Sequence, residues 1–159
     1  MTSRRLLIAQ ALAFGMTCSW LVIVANALFL PLYGARALPY VYLVVAVLGS
    51  GLSLGMGRLQ TRWPLPVIAA GVLAALTLGL VASRVWVAEA WVRFALSVAF
   101  PLLLQLGFLF LGGQAGQLFD IRQIKRFFPQ VVAGFVSGFL LAALAVPLLL
   151  TVLGRTENL

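Results

Sequence analysis

The sequence predicts an all-α protein, an integral membrane bundle of five transmembrane helices. Three observations predict it. Of 159 residues, 64% are hydrophobic and 9% charged, whereas an ordinary globular domain carries about 25% charged residues. The apolar residues fall in runs long enough to cross a bilayer, which takes roughly 20 residues at about 1.5 Å rise each. Short connections holding most of the Arg separate those runs. Three acids and eleven bases are too few to clothe a soluble domain of this length.

The first span runs from about Leu6 to Leu30 and closes at Pro31 and Gly34. Its opening, SRRLLIAQALAFGM, has the basic start of an export signal, but the apolar run continues well past Thr17, Cys18 and Ser19. An uncleaved span is therefore expected. The second runs from about Pro39 to Gly57, with Pro39 suited to a first helical turn. The third begins at Pro64 or Pro66 and reaches about Ala82, the fourth covers Phe94 to Leu118, and the fifth covers Pro129 to Leu153. Links this short predict antiparallel packing of neighbouring helices. Pro101 and Pro147 lie inside spans, where each removes a backbone donor and is expected to kink its helix.

Orientation follows from Lys and Arg asymmetry. With the amino terminus cytoplasmic, Arg4, Arg5, Arg58, Arg62, Arg122, Lys125 and Arg126 fall inside, and Arg36, Arg84, Arg93 and Arg155 fall outside with the tail Gly154 to Leu159. The net charge of +8 is scattered singly or in pairs, which points to anionic lipid headgroups and not to nucleic acid.

The segment LFDIRQIKRFFP, Leu118 to Pro129, concentrates Asp120, Arg122, Lys125 and Arg126 between two apolar runs. Each charge at the centre of a span costs about 2.5–3.5 kcal/mol on the insertion scale, so this segment must leave the hydrocarbon. Ile121, Ile124, Phe127 and Phe128 recur at helical spacing and predict an apolar face against lipid or neighbouring helices.

Absences exclude several chemistries. The chain has no His, one Cys and only Glu89, Asp120 and Glu157 as acids, so an internal disulfide is impossible. No metal site, cofactor or enzymatic nucleophile–base set is expected. Cys18, in an apolar run, reads as a packing thiol.

Small residues four apart mark helix-packing candidates: Gly51 and Gly55, Gly112 and Gly116, Gly134 and Gly138. In the first span Gly15, Ser19 and Asn26 share a face that either lines a cavity or bonds a neighbouring helix, with Gln10 and Thr17 nearly opposite. Gln105 and Gln114 invite the same two readings. Spans closed by short loops leave no room for a soluble domain.

Two stretches, FLPLYGARALPYVYLVVAVLGSGLSLGMGRLQTR (Phe29 to Arg62) and FDIRQIKRFFPQVVAGFVSGFL (Phe119 to Leu140), resemble the amino-terminal half of bacterial and plastid ATP/ADP translocase-type carriers. The most telling pieces are YGARALPY, GRLQTR and FDIRQIKRFFP. The resemblance implies the major facilitator fold, with six helices per half and cytoplasmic loops after helices two and four. Gly112 to Gln117 reads GGQAGQ where relatives often carry a tryptophan and an asparagine–glutamate pair. A chain of five spans is thus expected to be a partial carrier half, completed by a sixth helix and second half or by homo-oligomerisation.

The expected function is part of a carrier for a small, anionic, nucleotide-like solute, located in the bacterial inner membrane. Arg58, Arg62, Asp120, Arg122, Lys125 and Arg126 then sit at a cytoplasmic gate, while Gly15, Ser19, Asn26, Gln105 and Gln114 are candidate cavity lining. The competing expectation is a non-transporting membrane module that anchors or regulates a protein partner.

Overall fold

A computed structural model describes residues 2–153 of the chain. It is all-helical among those residues: α1 Thr2–Tyr33, a single 3-10 turn Ala35–Ala37, α2 Leu38–Gln60, α3 Leu65–Val85, α4 Ala90–Leu118 and α5 Ile121–Leu153. All five α-helices contain stretches long and apolar enough to cross a membrane. Arg155, Glu157 and the tail expected outside lie beyond the described residues.

The boundaries have local causes. Pro31 does not end α1, which continues to Tyr33; Gly34 stops it by taking φ 70°, and its N–H bonds the Leu30 carbonyl at 2.9 Å. Only glycine takes that left-handed turn without steric cost. Helix α2 outlasts Gly57 by three residues, and the Thr61 hydroxyl closes its end by donating to the Arg58 carbonyl at 2.7 Å. Pro64 is extended and its carbonyl accepts the first bonds of α3, from the N–H groups of Val67 and Ile68.

The largest boundary correction is at α5, which begins at Ile121 instead of Pro129. Phe119 is extended, and the Asp120 carbonyl accepts from the Ile124 N–H at 2.9 Å. The basic residues therefore occupy the first two turns of a continuous helix, with Pro129 in its interior. Asp120 precedes that helix, where a negative charge complements the N-terminal dipole.

Neighbours in sequence are not always neighbours in space. Helix α4 touches each of the other four, whereas α1 lies against α5 and α4 and has no Cα atom within 8 Å of α2 or α3. The expected antiparallel pair α1/α2 therefore lacks close backbone contact, although Phe29 of α1 and Val41 of α2 share a buried cluster with Val98 of α4. The pair α1/α5 is instead parallel: Ile8 meets Gly134, and one turn on Leu12 meets Gly138. Helices α1 and α4 are antiparallel, since Phe14 faces Gly107 while Ala25 meets Ser97. Helices α2 and α4 run parallel, Gly49 meeting Gln105 and Met56 packing with Phe110.

Chain direction accordingly alternates, which gives the bundle two ends. One end holds the start of α1 and the α2–α3 and α4–α5 turns; with Arg4, Arg5, Arg58, Arg62, Arg122, Lys125 and Arg126 there, it is the basic end. The opposite end holds the α1–α2 and α3–α4 turns.

The α1/α5 interface is built on small residues. A Cβ added at Gly15 would overlap the Phe135 carbonyl, and one at Gly138 the Leu12 carbonyl. Backbones meeting this closely gain dispersion and carbonyl contacts that larger residues would prevent. Ala11 and Ser19, one turn either side of Gly15, are fully buried, as is Ala142 one turn beyond Gly138. Above this zipper Phe14, Phe108, Phe135 and Phe139 form an aromatic cluster, with the Phe108 and Phe135 ring centroids 5.0 Å apart.

Candidate functional site

The expected packing glycines divide. Gly134 and Gly138 meet α1, but a Cβ at Gly51, Gly55, Gly112 or Gly116 would touch nothing within 4 Å. In their helices Gly49 and Gly113 make the close approaches instead. A Cβ on Gly49 would come within 2.5 Å of Gln105, and one on Gly113 within 2.7 Å of Leu65. Gly107 also admits the Phe14 ring. A four-residue spacing defines a stripe along a helix, and only the neighbouring helix decides which stripe is used.

The polar residues expected to line a cavity also separate. Gly15 lies against the α5 backbone, which fills the space a lining position needs. Ser19 is fully buried, and its hydroxyl has no hydrogen-bond partner. Gln105 ties two helices together: its amide donates to the Ser53 hydroxyl at 2.9 Å and to the Gly49 carbonyl at 3.4 Å. Asn26 lines a 240 Å³ cavity between α1, α2 and α4, beside Ser97 and Pro101. Pro101 has no N–H, so the Ser97 carbonyl one turn earlier has no intrahelical donor.

Gln114 leads to a more extended feature. It lines a 290 Å³ cavity together with Gln10, Thr17 and the apolar side chains Ala69, Val72 and Leu76 of α3. Thr17 is shared with a second cavity of 410 Å³, which runs on along the same helices to Ser83, Arg84 and Val87. Together they form a cleft between α1 and α3, helices with no Cα atoms within 8 Å of one another, with α4 as its floor. The α1 face that lines it carries Gln10 and Thr17, opposite to the face of Gly15 and Ser19. Their polarity was visible in the sequence, but nothing there distinguishes a face turned to a cleft from one turned to lipid. Trp20 forms part of the wall, and its indole N–H is buried without a partner.

At the basic end the charges form two groups. Arg122, Lys125 and Arg126 lie on the first turns of α5, where Arg4 joins them. The Arg4 guanidinium stands 4.4 Å from the Phe127 ring centroid and donates to the Gln130 side chain. A cation over an aromatic face gains about 0.5–1 kcal/mol at an exposed site. Arg58 and Arg62 lie at the α2–α3 turn, and α2 and α5 have no Cα atoms within 8 Å of one another. Asp120 is exposed and forms no ion pair with a described residue, so the expected gate contacts are not made in this conformation. The apolar side of the basic segment faces protein: Phe128 packs onto the cluster of Leu7, Leu111 and Ala115, and Phe127 lies against Phe119.

Fold and cleft define a class, that of all-helical bundles whose five long apolar helices are compatible with an integral membrane protein. Comparison of the chain with family models, with curated proteins and with solved structures finds no match.

Proposed function

We propose that the chain is part of a membrane transporter that moves a small anionic solute by alternating access. The observation that carries this reading is the cleft between α1 and α3, which is dotted with polar groups from Gln10 and Gln114 through Thr17 to Ser83 and Arg84. Two helices held apart over a shared floor can approach or separate as units, which is how packed bundles convert between two open states. The basic end faces the cytoplasm of a bacterial inner membrane, because Lys and Arg accumulate on that side. There Arg58, Arg62, Arg122, Lys125 and Arg126 raise the local concentration of an anion.

The resemblance to nucleotide carriers makes nucleotides and phosphate the first solutes to test. The partner is the remaining carrier half or a second copy of the chain, and the open face of α2, where Tyr40, Leu43, Val47 and Leu54 are exposed, is the surface that would receive it. In proteoliposomes, saturable uptake of labelled nucleotide or phosphate by the chain, or by a version extended through further helices, is expected. Absence of uptake and binding in both forms would refute the carrier.

The same open α2 face supports the alternative, a non-transporting module that anchors or regulates a partner. That reading predicts a stoichiometric soluble protein retained on the purified bundle, with no solute moved.

A further inference from the structure

We propose that the paired starts of α1 and α5 form a seat for the headgroup of one anionic phospholipid, held by Arg4 and Arg126 beside the Phe127 ring. The inference requires only that the bundle lie in a bilayer, and it does not rest on the carrier reading.

The α1/α5 register places the first of these cations. Ile8 meets Gly134 and Leu12 meets Gly138; one turn earlier the same register sets Arg4 beside Gln130, whose side-chain carbonyl accepts from the Arg4 guanidinium. Because the two helices are parallel, the cation of one start is carried into the cations of the other. The Arg4 and Arg126 guanidinium carbons stand 4.4 Å and 6.0 Å from the centre of the same Phe127 ring. Arg122 and Lys125 lie on the same first turns of α5. Like charges gathered this closely repel one another unless an anion joins them.

The described part of the chain does not supply that anion. Of its three acids, Glu89 belongs to the α3–α4 turn at the opposite end, and Glu157 follows Leu153, outside the described residues. Asp120 is the one acid at this end among the described residues, and it is exposed and forms no ion pair with any of them. The bond to Gln130 leaves Arg4 with further N–H donors. Guanidinium forks of this kind match the oxygens of a phosphate.

Depth selects a lipid over a soluble anion. From Pro129 to Leu153 α5 carries no charged residue, so Gln130 and the Arg4 beside it mark where hydrocarbon gives way to headgroups. Lipid phosphates already occupy that level, while a soluble ion would have to shed water to enter it. Net charge selects the kind of lipid. A choline headgroup would set its own cation among Arg122, Lys125 and Arg126, whereas phosphatidylglycerol brings a phosphate without one.

Native mass spectrometry of the full chain, released from nanodiscs of mixed phosphatidylglycerol and phosphatidylcholine, tests the seat. One phosphatidylglycerol per chain is expected to stay bound in preference to phosphatidylcholine. That preference should fall about fivefold in Arg4→Gln and about fivefold in Arg126→Gln, the share of one interfacial cation. Arg5→Gln removes a neighbouring exposed cation outside the Phe127 pair and should leave the preference intact. Equal retention of the two lipids, an unchanged preference in either seat variant, or an equal loss in Arg5→Gln would overturn the inference, the last by reducing it to diffuse charge. So would displacement of the lipid by millimolar inorganic phosphate, which would assign the site to a soluble anion.

Arg126 is exposed, so its variant keeps the test decisive should Arg4→Gln fail to fold. Thermal unfolding in the same nanodiscs provides a second measurement. Phosphatidylglycerol should raise the midpoint of the parent chain and of Arg5→Gln more than that of Arg126→Gln, and an equal rise in all three counts against the proposal. Solute uptake without lipid preference removes the seat and spares the carrier; lipid preference without uptake does the reverse.

Discussion

A single absent methyl group decides how closely α1 approaches α5. At Gly15 and Gly138 the facing atoms are backbone carbonyls, which cannot rotate away as a side chain can. Gly138→Ala should therefore cost about 1–3 kcal/mol, the usual penalty for forcing a methyl group into a filled interface. Gly51→Ala and Gly55→Ala, facing open space, should stay within about 0.5 kcal/mol. Reversible unfolding in mixed micelles measures both, and a Gly138→Ala chain as stable as the parent would refute the close approach. Gln105 is the other residue with a defined energetic role. A Gln105→Leu and Ser53→Ala double-mutant cycle should give a coupling of about 0.6 kcal/mol, the average for hydrogen bonds between membrane helices.

At the level of elements, the start of α5 shows a sequence argument that was sound in its physics and misplaced in its boundary. Charge density requires Leu118 to Pro129 to lie outside hydrocarbon, but it does not require that segment to be a loop. Helix is compatible with water, and its aromatic side chains pack on protein, Phe128 on the cluster of Leu7, Leu111 and Ala115 and Phe127 on Phe119. Replacing Arg122, Lys125 and Arg126 together by Gln should leave the orientation unchanged, because Arg4, Arg5, Arg58 and Arg62 remain at the same end. A reporter at the amino terminus that switches sides in this variant would show that the α5 cluster alone sets topology.

The whole bundle is organised around α4, and its least expected feature is the parallel pairing of the first helix with the last. Cysteine crosslinking tests it directly. The Ala11 Cβ lies 3.8 Å from the position a Cβ would take at Gly134, within the roughly 3.5–4.5 Å that a disulfide needs. In a Cys18→Ala background, the pair Ala11→Cys and Gly134→Cys should crosslink rapidly under mild oxidation, and Gly51→Cys with Gly134→Cys should not. Failure of the first pair in a chain that still unfolds cooperatively would rule out the arrangement.

From its residues alone this protein is legible as five apolar rods with a basic elbow before the last, because the insertion cost of charge and the length of a spanning helix act locally. The spacing of Gly134 and Gly138 was visible too, but so was that of Gly51 and Gly55, which meet nothing. Which rods touch could not be read. In a soluble helix the apolar stripe points to the core, but in these spans lipid-facing and protein-facing surfaces are both apolar, so Gly51 and Gly49 look alike until α4 arrives beside one of them. The tertiary structure alone chose α5 over α2 as the partner of α1, and by holding α1 away from α3 it opened the cleft that carries Gln10, Thr17 and Arg84.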